Sequence, residues 1–170
     1  MPSYITLLRA VNVGGTGKLP MADLKALCEE AGFTKVKTYI ASGNVVFRSS
    51  KTEAQVKKLL EGKLAAYAGK PVGVLIRTPA EMAAVVADNP FVNAAPNRTL
   101  AIFLDDPPPA NALGLAKNQT VEQMQLGQRE IYIHYGDGMG NSRLIVPAAK
   151  TGTARNLNTI AKLAELAAGI

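Results

Sequence analysis

The spacing of apolar and polar positions changes several times along the chain, and each change marks an element. Tyr4 to Ala10 is mostly apolar and reads as a strand. Met21, Leu24, Leu27, Cys28 and Ala31 then recur at helical spacing, and Gly32 supplies a left-handed cap. Lys35 to Ile40 and Asn44 to Arg48 are β-rich runs joined by the short Ala41-Ser42-Gly43 turn, which predicts a hairpin. Ser50 and Glu53 have the spacing of a capping box, opening a helix to about Ala68 with Val56, Leu59, Leu60 and Leu64 turned inward. Val72 to Arg77 is the next strand.

This order, β-α-β-β-α-β, predicts an α+β protein whose first subdomain is ferredoxin-like. Thr78-Pro79-Ala80-Glu81 combines a second capping box with proline at the first helical position, and that helix stops near Asn89-Pro90. The division is placed after residue 78, giving subdomains 1–78 and 79–170. The second reads as strand Thr99–Leu104, a loop through Asp105-Asp106-Pro107-Pro108-Pro109, a short helix to about Ala116, a weak strand at Val121–Gln125 and strand Glu130–Tyr135. A terminal helix is expected from Thr153, with Leu157, Ile160, Leu163 and Ala164 on one face. The order suggests a degenerate second copy of the first unit, although no sequence identity between the halves is visible.

Charge separates the halves. The net charge is +6, yet residues 1–77 hold twelve Lys/Arg against five Asp/Glu, while residues 78–170 hold seven against eight. A basic half attracts phosphate-bearing partners by displacing counterions, although Lys25, Lys57, Lys58 and Lys63 also fall on ordinary polar helix faces. A single cysteine, Cys28, excludes an intramolecular disulfide, and one histidine leaves no cluster of soft metal ligands. No metal or cofactor is therefore expected, and a reducing, cytoplasmic location fits. The opening residues read as a strand rather than a signal peptide. No apolar run approaches the roughly 20 residues of a membrane span.

The loop Asn12-Val13-Gly14-Gly15-Thr16-Gly17-Lys18-Leu19 resembles a phosphate loop but fails its pattern. Asn12 stands where glycine is needed, and Leu19 where Ser or Thr would hold magnesium. Arg9 ends the first strand and Asn12 opens the loop, while Ser42 and Asn44 flank Gly43 in the hairpin. The hairpin is expected at the opposite end of the sheet from Asn12, so the two clusters are kept apart. At the terminal helix, Thr153 is the expected N-cap. Arg155 and Asn156 follow it, and Arg155 adds a fork for phosphate or carboxylate beside free helix N–H groups. Arg155, Thr159 and Lys162 are expected to share a solvated face. His134 and Cys28 read as structural. The third strand lacks the basic-glycine-aromatic run of an RNA-recognition motif, so nucleic-acid binding rests on backbone charge alone.

Leu7-Leu8-Arg9-Ala10-Val11-Asn12-Val13-Gly14-Gly15, Met21-Ala22-Asp23-Leu24, Gly32-Phe33, Thr38 to Phe47 and Thr153-Ala154-Arg155-Asn156 together resemble the bacterial domain-of-unknown-function 1697 family. The likeness is strongest in the N-terminal half and the terminal helix. It implies a two-part α+β fold and roles beyond packing for Arg9, Asn12, Ser42, Asn44, Arg155 and Asn156, and brings no activity with it. The expected function is a cytoplasmic binding module for an anionic ligand carrying phosphate or carboxylate, with Gly14 and Gly15 of the loop among its contacts. The alternatives are a cofactor-independent enzyme such as a transferase, and a nucleic-acid-binding protein using the basic half. Oligomeric state is not readable from the chain.

Overall fold

The computed structural model describes residues 1–9 and 18–170. Asn12, Gly14 and Gly15 lie outside the described residues. Contacts divide the chain into two compact units, one made of Met1–Met82 with Lys162–Ile170 and the other of Ala83–Ala161. The described residues form eight strands in two antiparallel four-stranded sheets, together with four α-helices, an α+β architecture. No described helix is long and apolar enough to cross a membrane.

In the first unit the order is β1 (Ser3–Leu8), α1 (Met21–Glu30), β2 (Thr34–Thr38), β3 (Asn44–Arg48), α2 (Glu53–Ala68) and β4 (Val74–Arg77). The strands lie side by side as β2-β3-β1-β4. β1 pairs antiparallel with β3, Ile5 opposite Val46, and with β4, Ile5 opposite Arg77. Alternate strand residues Tyr4, Leu8, Val45, Phe47, Val74 and Ile76 meet Leu24 and Cys28 of α1 and Val56, Leu60 and Leu64 of α2 in one buried core. Phe33 stacks on Phe47 with ring centroids 4.2 Å apart. The opposite face of the sheet, with Ile5, Leu7, Val46, Leu75 and Arg77, is buried too.

Local signals explain where these elements start and stop. Gly32 follows α1 with φ of 89°, a conformation that costs glycine least. The capping box of α2 is formed by Thr52 and Gln55, two residues later than the expected Ser50 and Glu53. The Thr52 hydroxyl accepts from the Gln55 N–H at 3.2 Å, and the Gln55 side-chain oxygen Oε1 accepts from the Thr52 N–H at 2.9 Å. Glu53 thus occupies the first turn, where its charge suits the positive helix end. The expected Thr78–Glu81 box is present, with reciprocal bonds of 2.9 and 3.2 Å, and opens α3 (Pro79–Ala87).

The second unit repeats the strand order. β5 (Thr99–Phe103), β6 (Gln123–Leu126), β7 (Glu130–His134) and β8 (Thr153–Asn156) lie as β6-β7-β5-β8, and β5 pairs antiparallel with both β7 and β8. Where the first unit has α1 and α2, this one has short 3-10 turns at Leu113–Leu115, Gly136–Asn141 and Pro147–Ala149. The helix expected to end near Ala116 is the first of these. Its bonds run between residues three apart, from Ala112 to Pro109 and from Ala116 to Leu113, the pattern of a 3-10 turn. One face of the sheet packs Ile102, Leu104, Ile131 and Ile133 against Val146 and the partly buried Leu113, Ala116, Leu144 and Ala149. The last helix, α4 (Leu157–Ala168), begins four residues later than expected.

Candidate functional site

Of the residues predicted to carry chemistry in the first unit, Arg9, Ser42 and Asn44 lie near the end of β1. Because β1 and β3 are antiparallel, the last residues of β1 lie beside the first residues of β3, with Leu7 opposite Asn44. The Leu8 N–H donates to the Gly43 carbonyl at 2.8 Å. The hairpin therefore adjoins the end of β1 from which Arg9 emerges, correcting the expected separation of these clusters. On the other side, the Arg9 N–H donates to the Gly73 carbonyl at 2.9 Å, so the Arg9 backbone is fixed by the start of β4.

Arg9 is exposed, and its stem runs against Gly73. A Cβ at position 73 would lie 2.9 Å from Arg9 Cβ and 3.3 Å from its Cδ, so any other residue at 73 would displace the arginine. One residue along, the Val74 carbonyl accepts a hydrogen bond from Lys57 Nζ of α2. Two cationic side chains thus approach the first residues of β4. Sequence reasoning missed both Gly73 and Lys57. The glycine gave a signal, since glycine inside a strand pattern often marks close approach of another group, whereas Lys57 looked like any exposed helix lysine.

Ser42 and Asn44 shape the hairpin. Asn44 is fully buried and its amide donates to the Tyr39 carbonyl at 2.8 Å and to Ser42 Oγ at 2.9 Å. The Tyr39 N–H donates back to the Asn44 carbonyl at 3.0 Å. These bonds hold a turn in which Ile40 takes φ of 51° and Gly43 φ of 89°. Asn44 thereby fixes the position of the Gly43 carbonyl that meets β1.

Arg155 and Asn156 are placed differently from expectation. Thr153–Asn156 is a strand, with Arg155 opposite Ala101, so Thr153 caps no helix. Arg155 is 7% exposed, and its guanidinium donates to Thr153 Oγ1 at 2.8 Å and to the Ala154 carbonyl at 2.9 Å. Burial lowers its pKa to about 10. Asn156 caps α4, its side-chain oxygen accepting from the Thr159 N–H at 2.9 Å. Thr159 is buried, so the expected solvated face shared by Arg155, Thr159 and Lys162 does not form. Arg77 holds the matching place in the first unit: it is fully buried in the last strand, opposite the third residue of the central strand, and donates to the carbonyl of the preceding residue, Ile76, at 2.9 Å.

His134 Nδ1 lies 3.1 Å from the Thr99 hydroxyl, and its ring lies 5.9 Å from that of Phe91. Cys28 is fully buried, and its thiol pKa is pushed up to about 12, chiefly by burial and secondarily by the charge of Glu29. Among the described residues no three His, Cys, Asp or Glu side chains are grouped to hold a metal ion.

The family model for proteins of unknown function DUF1697 matches residues 1–132. The chain belongs to the DUF1697 family. The match takes in β1, the hairpin and β4, and so the whole convergence around Arg9. Among solved structures, the DUF1697 chain is similar to a conserved bacterial protein, SP0830 from Streptococcus pneumoniae. That likeness has a TM-score of 0.79 at 23% identity and covers 97% of this chain and 98% of the other, which establishes a shared fold. No curated protein sequence matches the chain.

Proposed function

We propose that this DUF1697 chain is a cytoplasmic binding module for an anionic ligand, phosphate- or carboxylate-bearing, held at the end of β1 by Arg9. The observation that carries this reading is the mounting of Arg9. Its backbone is bonded to the start of β4, its stem has room only because residue 73 is glycine, and its exposed guanidinium stands at the head of a glycine-rich loop sequence. An arginine fixed in this way loses less freedom on binding than an ordinary surface arginine, and its planar fork suits two oxygens of one anion. Within the second unit, Arg155 Nη1 donates to Thr153 Oγ1 and to the Ala154 carbonyl, so the reading rests on Arg9.

Thermal-shift titration with nucleotides, phosphorylated sugars, acyl anions and short nucleic acids tests the reading. A ligand at about 100 times its Kd stabilises the folded state by about 2.7 kcal/mol. The shift should vanish in Arg9→Ala and shrink in Gly73→Ala, with both variants keeping the unliganded Tm of the parent within a few degrees. A ligand whose shift survives in Arg9→Ala would place the binding elsewhere.

A further inference from the structure

The longest helix carries a residue that its own packing does not explain. α2 turns Val56, Leu60 and Leu64 into the core, and Gly62 lies on a different, exposed side in the helix interior. Glycine there weakens a helix relative to alanine. Nothing lies within 4 Å of where its Cβ would be, so no contact in the described chain calls for its absence. A rule of helix composition broken without internal compensation points to a demand from outside the fold.

Gly62 lies in an open groove of about 590 Å³ along α2. The floor is Gln55, Leu59, Gly62 and Ala66, and the rims carry Lys51, Lys58 and Lys63. The floor positions step by four, three and four residues, the spacing of a coiled-coil seam. On that register Lys58 falls on one flank and Lys63 on the other, the positions from which helices in a coiled coil exchange ion pairs, while Lys51 stands just before the helix cap at Thr52. Lysine stands at all three, and no acidic residue lines the groove.

We propose that this groove is the docking site for an acidic amphipathic α-helix of a partner protein, with apolar residues seated over Leu59, Gly62 and Ala66 and carboxylates facing the three lysines. The small floor residues let a second helix axis come close, as packed helices at about 8–10 Å require. The floor spans about 16 Å at 1.5 Å per residue, three turns of such a partner. A bilayer surface fits less well, since it needs bulky apolar anchors and the floor offers a single leucine. Nucleic acid would use the lysines but gain nothing from an apolar floor without aromatic rings for stacking. The proposal is independent of the anion site at Arg9, to which none of these residues belongs.

The test uses the full-length protein and two synthetic three-heptad helical peptides with leucine at the seam positions, one with glutamate on both flanks and one with lysine. In fluorescence anisotropy the glutamate peptide should bind, and the lysine peptide should bind at least about tenfold more weakly, because like charges on the rim repel it. Combining Lys58→Glu with Lys63→Glu should reverse that preference. Gly62→Leu should weaken the glutamate peptide about tenfold by filling the floor, while Gly62→Ala should raise Tm, showing that the glycine does not serve the fold. No binding of the glutamate peptide, equal binding of both peptides, or full binding to Gly62→Leu would overturn the proposal. So would a lysine-dependent affinity for anionic vesicles or duplex DNA exceeding that for the peptide.

Discussion

The two units build the same strand order and cover it by different means. In the first, α1 and α2 lie over the sheet; in the second, 3-10 turns and loops take their place. A helix satisfies most of its own backbone polar groups, whereas a loop over a core must have them tied individually. The second unit meets that demand with specific bonds. Lys117 and Ile145 exchange backbone bonds of 2.8 and 2.9 Å. The buried Glu122 carboxylate accepts from the Thr120 N–H at 2.9 Å, the Thr120 hydroxyl at 3.0 Å and the Ser142 hydroxyl at 3.0 Å. The lesson is that one strand order can stand under two kinds of cover, provided specific backbone and side-chain bonds take over the work of helix hydrogen bonds.

The difference in cover can be measured through core truncation. Phe47→Ala, beneath two helices, should cost about 4 kcal/mol, and Ile133→Ala, beneath turns that can settle into the space, about 2–3 kcal/mol. Urea denaturation of each variant gives both numbers, and equal costs would mean that the loop cover is as stiff as the helices.

Arg155 tests what a buried arginine does for the second unit. Arg155→Ala removes two charge-assisted hydrogen bonds from a buried site and should cost about 2–3 kcal/mol, with Arg155→Met recovering part of this by keeping the stem packed. A loss well below 1 kcal/mol by chemical denaturation would show that this buried side chain does not support the second sheet.

Glu122 gives a pH signature to the loop cover alone. Its hydrogen bonds, led by those from Thr120 and its own backbone, lower its pKa from 4.5 to about 2. A depressed folded-state pKa means that the contribution is complete above pH 4.5 and is lost as pH falls toward 2. Urea midpoints taken from pH 5 to pH 2 should show this loss in the parent, and Glu122→Gln should remove that component of the fall. A variant with the parent's full acid sensitivity would assign that sensitivity to other carboxylates.

The smallest effect tests the helical cover. Thr52→Ala removes the capping hydroxyl of α2 and should cost about 1 kcal/mol. Thermal melts that match the parent would mean that water replaces the cap without loss.

How far the sequence announced all this follows the same divide. The elements of the first unit were legible to within about two residues, because helix and strand periods alternate there over long enough runs to be told apart. The second unit blurred because 3-10 turns have no distinctive period and β6 and β8 have only four residues each. Thr153-Ala154-Arg155-Asn156 passes into α4 without a loop, so by sequence alone the strand reads as the first turn of a helix. At the candidate site, Arg9, Ser42 and Asn44 stood out by residue type. Their meeting depended on which strand pairs with β1, information that lies in the topology rather than in any local run.

Cys28 places a built-in reporter inside the helix-covered unit. It is the chain's single cysteine and is wholly buried between α1 and the first sheet. A thiol reagent can reach it only when that unit opens, so its labelling rate times the opening of one half of the molecule without any engineered probe. Every variant proposed above can thus be asked which half it loosens, from a chemical reaction that the second unit has no group to join.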